Sequence, residues 1–143
     1  MEDKTNIIYR AIIFALKKHK GQKYDIDKDF FFAHPWKVFQ ILKLITDDET
    51  ILCAGLLHDT LEDTNTTLDE LKEEFGNEIA NIVYEVTKED DENGKYFPRL
   101  KSEKAIIVKF ADRLVNLSNM SCWKEKKQNW YLRTSRFWKS KKE

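Results

Sequence analysis

The chain holds only three histidines in 143 residues, and two of them stand against apolar segments with acids close by. Ile51-Leu52-Cys53-Ala54-Gly55-Leu56-Leu57 is wholly apolar and runs straight into His58-Asp59, with Glu62-Asp63 one turn later. A helix continuing through these residues puts His58 and Glu62 on one face and Asp59 and Asp63 on another, each pair four apart. An imidazole beside a carboxylate suits a divalent cation, and a second acidic pair one turn on suits a water. His34 closes an aromatic stretch, Phe30-Phe31-Phe32-Ala33, and Asp112 closes the apolar run Ala105-Ile106-Ile107-Val108-Lys109-Phe110-Ala111. Carboxylates at the ends of buried segments rarely lack a partner. Two imidazoles and two carboxylates from three helices form a mixed nitrogen–oxygen set that suits manganese, iron or zinc better than calcium. The competing reading is an ordinary helix terminus with solvated acids, and core histidines satisfied by their neighbours.

Helices must position these groups, because four Gly and two Pro in the whole chain leave little punctuation for strands and tight turns. Ile8, Ala11, Ile12, Ala15 and Leu16 recur at helical spacing over Thr5 to Lys18, with Gly21 as a left-handed cap and His19 as a polar cap residue. A polar loop over 23–29 follows. Pro35 suits the first turn of a second helix reaching about Ile45, with His34 at its entrance. Asp47 or Asp48 caps the third helix, which delivers His58-Asp59. Thr67 and Glu70 match a capping box for a short helix to Phe75; another helix spans about Glu78 to Val86. Residues 88–95 read as an acidic loop. The run 105–111 has β-branched content fit for a strand, yet its helical surroundings favour a buried helix from about Arg99. Trp123, Trp130 and Phe137, spaced by seven in a basic tail, point to a helix face packed on the core rather than a nucleic-acid surface. The expected architecture is an all-α bundle of about six or seven helices, one domain over 1–143.

Lys+Arg and Asp+Glu both number 25, so no global field argues for nucleic acid or an anionic membrane as partner. Cys53 and Cys122 form no CxxC pattern and fit a reduced compartment. The first six residues lack a signal-peptide pattern, and no apolar run approaches membrane-spanning length. A cytoplasmic location is the expectation; oligomeric state is left open.

The order His34-Pro35, His58-Asp59, Glu62-Asp63, Asp112 resembles the HD-domain metal-dependent phosphohydrolases. It is closest to the hydrolase domain of the RelA/SpoT proteins and to stand-alone small alarmone hydrolases of the Mesh1 type. His19-Lys20-Gly21-Gln22, Phe32-Ala33-His34-Pro35, Ala54 through Thr64, Phe75-Gly76-Asn77-Glu78-Ile79, Val86-Thr87-Lys88 and Val108 through Leu117 match successive landmarks over nearly the whole chain. The resemblance implies an HD-domain helical bundle with His34, His58, Asp59 and Asp112 as ligands of one manganese ion per chain. It makes Glu62 and Asp63 the residues that orient or activate water, turns Asn116 to the nucleotide, and matches Tyr131 to a substrate-contacting tyrosine. The implied activity is removal of the 3′-pyrophosphate from guanosine tetra- or pentaphosphate, a small-molecule nucleotide substrate. Lys23, Lys109 and Arg113 are candidates to neutralise phosphate oxygens.

Two positions depart from the family pattern. Tyr24 stands where an arginine commonly packs on the nucleobase, and Ser118 stands where another arginine is frequent. A tyrosine can stack on any base but lacks the guanidinium's charge, so looser base recognition is expected. Another nucleotide, such as NADPH or a dNTP, is the alternative substrate, and a non-catalytic nucleotide-binding module is the alternative class. Retention of both Glu62 and Asp63 argues against the latter.

Overall fold

A computed structural model of the chain describes residues 5–24, 28–87, 89–91, 94–96 and 100–119. The expected helix over Trp123, Trp130 and Phe137, with Tyr131, lies outside the described residues. Helix α1 (Thr5–Lys18) buries Ala11 and Ala15. The chain then reverses through a turn in which the Gln22 N–H donates to His19 O at 3.0 Å, with Gly21 at φ 85°. That third turn position requires positive φ, which glycine adopts without strain. The loop expected over 23–29 contains instead a short antiparallel pair, β1 (Lys23–Tyr24) and β2 (Lys28–Asp29), with Lys23 opposite Asp29. Pairing of Phe30 N with Gln22 O at 3.0 Å extends the reversal. Strands of two residues are too short to leave any periodicity in a sequence.

Asp29 then caps α2 (Phe30–Ala33), its Oδ1 accepting from Phe31 N at 3.1 Å. His34, at φ −133° and ψ −72° and so in neither the helical nor the extended region, separates α2 from α3 (Pro35–Ile45). Thr46 to Asp48 turn the chain back, and Asp48 Oδ1 accepts from Thr50 N and Ile51 N at the start of α4 (Glu49–Leu57). Residues Ile51 to Leu57 are all buried, so α4 has no polar face and must be surrounded. Helices α1 and α3 pack against it, as do two later helices, α7 (Asn77–Val86) and α8 (Glu103–Asn119).

The structure corrects one expectation that bears on the site. Helix α4 does not continue through His58 and Asp59; it ends at Leu57, and a separate turn, α5 (Thr60–Asp63), follows. Side chains take the terminal carbonyls: His58 Nδ1 donates to Gly55 O at 2.7 Å, and Thr60 Oγ1 to Leu57 O at 2.7 Å. Such local bonds compete with the helical ladder, and Asp59 sits between at φ −96°, ψ 0°.

Helix α6 (Leu68–Phe75) starts at Thr67, whose Oγ1 accepts from Glu70 N at 3.1 Å, and α7 follows Gly76. The acidic loop expected over 88–95 contains a second short hairpin, β3 (Glu89–Asp91) with β4 (Gly94–Tyr96), Asp91 opposite Gly94. Helix α8 confirms the helical reading of 105–111. It starts at Glu103, where Glu85 accepts from Lys101 N and Ser102 N, and Ser102 Oγ accepts from Ala105 N at 3.2 Å. Among the described residues there are six helices of eight or more residues and two of four, with only the two hairpins besides; the architecture is all-α. No helix among them is long and apolar enough to cross a membrane.

Close approach of α3 to α4 depends on Gly55. A Cβ there would collide with Leu42 Cδ1 and touch Val38 Cγ1 at 3.5 Å, and both neighbours are fully buried. Overpacking a core costs about 1–3 kcal/mol, against about 1 kcal/mol gained in helix propensity. Gly55→Ala is therefore expected to be destabilising, by up to about 2 kcal/mol net, read as a lower urea midpoint. An unchanged midpoint would mean that α3 and α4 have room to part.

Candidate metal centre

An antiparallel helix pair starts where it ends. Helix α3 begins just after His34, and α4 finishes just before His58, so the 46–48 turn brings the two imidazoles together. Their Nε2 atoms lie 3.0 Å apart. Helix α8 crosses this pair and delivers Asp112 from its middle: Oδ1 is 2.7 Å from His34 Nε2 and 3.2 Å from His58 Nε2. Asp59, next in the chain to His58, places Oδ2 at 3.1 Å from His58 Nε2 and 3.5 Å from His34 Nε2. The far end of α8 is pinned to the same place, with Asn119 Nδ2 donating to Ala33 O at 3.2 Å and Lys37 Nζ to Asn119 Oδ1 at 3.4 Å. His34, His58 and Asp112 are buried.

The hydrogen-bond pattern makes this a donor set. Because His58 Nδ1 gives its hydrogen to a carbonyl, its Nε2 in the neutral ring is a lone pair. That lone pair faces another ring nitrogen and two carboxylate oxygens, an arrangement that repels unless a positive charge enters. Burial alone would push the His58 pKa down, yet Asp59 and the bonds with Asp112 hold it well above the ordinary value. Burial likewise disfavours both carboxylates in their charged form. His58 nonetheless holds Asp59 well below the usual carboxylate range, and Lys109, with His34 and His58, does so for Asp112. A field that recruits a proton this strongly also recruits a cation. Mixed imidazole and carboxylate donors at this spacing fit a divalent metal ion, and His34, His58 and Asp59 offer ligand atoms within 4.8 Å of one another.

Asp59 also belongs to a second group. Its carboxylate lies within 4.8 Å of those of Glu62 and Asp63, on the turn α5. The break after Leu57 thus turns the acid pair toward Asp59 rather than stacking Glu62 beneath His58 on one continuous helix.

The remaining expected site residues fall into three places. Lys109 is buried, with Nζ 2.8 Å from Asp112 Oδ2, and Asn116 Nδ2 stands 3.5 Å from Asp112 Oδ1. These two meet Asp112, and Arg113, the next residue on α8, is buried. Tyr24 is only 9% exposed, its ring nearly parallel to that of His34 with centroids 6.4 Å apart. Lys23 is exposed on β1, opposite Asp29, and Tyr131 lies outside the described residues. One further residue was read from the sequence chiefly as a helix cap, within a segment that resembles the family's early His-x-x-Gln. His19 is 1% exposed, packs its ring 4.8 Å from that of Phe30, and sits within the electrostatic reach of Asp59, His58 and His34. Burial pushes its pKa down, partly opposed by its bond to Gln22. The His19-x-x-Gln22 spacing across a Gly21 turn was its signal in the sequence.

Residues 11–105 match the HD domain family model, a stretch that holds His34, His58, Asp59, Glu62 and Asp63 and stops short of Asp112. The chain is 40% identical over 136 residues to a guanosine-3′,5′-bis(diphosphate) 3′-pyrophosphohydrolase, MESH1, of Xenopus tropicalis, covering 84% of this chain and 73% of that protein. A guanosine-3′,5′-bis(diphosphate) 3′-pyrophosphohydrolase of Aquifex aeolicus is 39% identical over 132 residues, which cover 85% of this chain but 19% of that longer protein. A solved structure of a metazoan ortholog of SpoT, described as hydrolysing ppGpp and playing a role in starvation responses, superposes with a TM-score of 0.77. The identity there is 25%, over 92% of this chain and 82% of that one. A family model matched over 95 of 143 residues, with relatives at 40% identity over most of the chain, makes the chain a member of the HD-domain family.

Proposed function

We propose that the protein hydrolyses the 3′-pyrophosphate of guanosine tetra- or pentaphosphate, (p)ppGpp, giving GDP or GTP and pyrophosphate. In this reading His34, His58, Asp59 and Asp112 hold one manganese ion, and Glu62 and Asp63 orient or deprotonate the attacking water. The observation that carries it is the shared carboxylate: Asp59 belongs to the imidazole cluster and to the acid pair at once, so a cation and a proton acceptor meet at one point. The 40% identity to a protein named for this reaction supports the choice of substrate.

Hydrolysis adds the water oxygen to the phosphorus bonded to O3′, and O3′ departs with a proton. A divalent ion held by this set would offset phosphate charge and acidify a bound water. The chain's own residues do the rest. Glu62, half-buried, and Asp63, exposed, form the proton-accepting side of the site. Lys109 keeps Asp112 ionised and fixes its second oxygen. Tyr24 backs the ring of His34, and Asn116, one turn after Asp112, is the side chain on α8 assigned to the nucleotide. Tyr131, Lys23 and Arg113 complete the proposed substrate contacts. A cytoplasmic location belongs to the same reading.

Incubation with Mn²⁺ and a panel of ppGpp, NADPH and dNTPs, with products resolved by chromatography, should give GDP and pyrophosphate from ppGpp in preference to turnover of the others. Faster turnover of NADPH or a dNTP would transfer the assignment to that nucleotide. Asp112→Ala should abolish both bound metal and turnover, and chelation should lower the melting temperature because the ion binds only the folded chain. Full metal stoichiometry in Asp112→Ala would count against the ligand set.

Glu62→Gln separates ligand from catalyst. It should keep the metal and the melting temperature while slowing turnover at least about a hundredfold, the lower range for a positioned general base. Loss of the metal in this variant would make Glu62 a ligand instead.

A further inference from the structure

The acid pair rides on a four-residue helix, and one turn of helix does not hold itself in water. Asp63 N to Asp59 O at 2.9 Å and Thr64 N to Thr60 O at 3.2 Å close the turn, with Thr60 Oγ1 donating to Leu57 O and Thr64 Oγ1 to Thr60 O beside them. The carbonyl of Asp63 lies at the C-terminal end of the turn, beyond the helical ladder, and it is met from 41 positions away: Gln22 Nε2 donates to it at 2.7 Å. A carbonyl only accepts, so the Gln22 carboxamide must present its NH₂ there. Its Oε1 is thereby left to His19 Nδ1 at 2.8 Å, which must carry the hydrogen of that ring. The turn closed by Gly21 sets these two side chains side by side, and burial against Phe30 fixes the His19 ring.

We propose that Gln22, oriented by His19, is the positioning residue for the Glu62–Asp63 pair, latching the end of α5 to the turn after α1 so that both carboxylates stay beside Asp59. The inference rests on the reading of Glu62 and Asp63 as the water-orienting pair. Gln22 touches neither substrate nor metal in this scheme; it acts through the Asp63 main chain. His19 contributes by forcing the orientation of the carboxamide.

The test uses two substitutions in the metal-loaded protein. Gln22→Met removes donor and acceptor at nearly constant length. Gln22→Glu keeps an acceptor for His19 but has no hydrogen for Asp63 O. Hydrogen–deuterium exchange followed by mass spectrometry should show faster exchange in peptides spanning 58–66, with those spanning 49–57 unchanged, in both variants. Kinetically, kcat for ppGpp should fall about tenfold with KM held within about twofold and metal content unchanged. The decisive comparison is with Glu62→Gln: adding Gln22→Met to it should cost nothing further, because residues that act through one another are not additive. Unchanged exchange over 58–66 overturns the proposal, and so do losses that multiply in the double variant, which would make Gln22 a general stabiliser. Absence of ppGpp turnover in the unsubstituted protein would sink the substrate assignment and leave the latch to be judged on exchange alone.

Discussion

Two carboxylates and two imidazoles occupy a volume from which water is largely excluded, and the fold is arranged to make that tolerable. Isolated, any one of these groups would cost several kcal/mol to bury as an ion. Here each has an assigned neighbour: the Gly55 carbonyl for His58 Nδ1, the Lys109 ammonium for Asp112, and the histidines for both acids. Remove the convergence, and α4 would be a purely apolar helix ending in unpaired charge. The same electrostatic arrangement therefore explains why a stable core can terminate in ionisable groups and why that terminus attracts a cation.

Precision at the site comes from backbone contacts as much as from side chains. Gly55 does two jobs, letting α3 approach α4 and lending its carbonyl to His58. A larger residue there would push the imidazoles apart even if its own carbonyl stayed in place. At the other end, Asn119 ties α8 to the residue before His34, so the helix carrying Asp112 is referenced to the segment carrying its partner. Sub-ångström register in a metal site is usually set by such supporting contacts rather than by the ligands.

Much of this was legible from the chain. His34-Pro35 announced a helix start, Asp47-Asp48 and Thr67 announced caps, with Asp48 the one used, and the apolar runs before His58-Asp59 and Asp112 announced where buried helices deliver chemistry. What stayed hidden has physical causes. The break after Leu57 depends on His58 and Thr60 side chains capturing carbonyls at 2.7 Å, a rotamer-level event with no trace in hydrophobic periodicity. The β1–β2 and β3–β4 hairpins have strands of two or three residues, below the length at which alternation can be read. His19 looked like a cap residue because its burial is decided by Phe30, eleven positions later, folding back across it.

The converging groups lie at 34, 58–59 and 112, and only His58 and Asp59 are neighbours in the chain. In an unfolded molecule the ends of this set are joined by a loop of 78 positions, and closing such a loop costs entropy that local contacts do not repay. The three segments therefore meet only once α3, α4 and α8 have docked on one another. Nascent chain thus offers an ion at most a two-residue fragment, and selection among cellular metals falls to the finished protein, whose cavity size and donor charge are already set. Conversely, an ion captured at that stage would act as a tether across most of the sequence, slowing escape from the native state more than it speeds arrival.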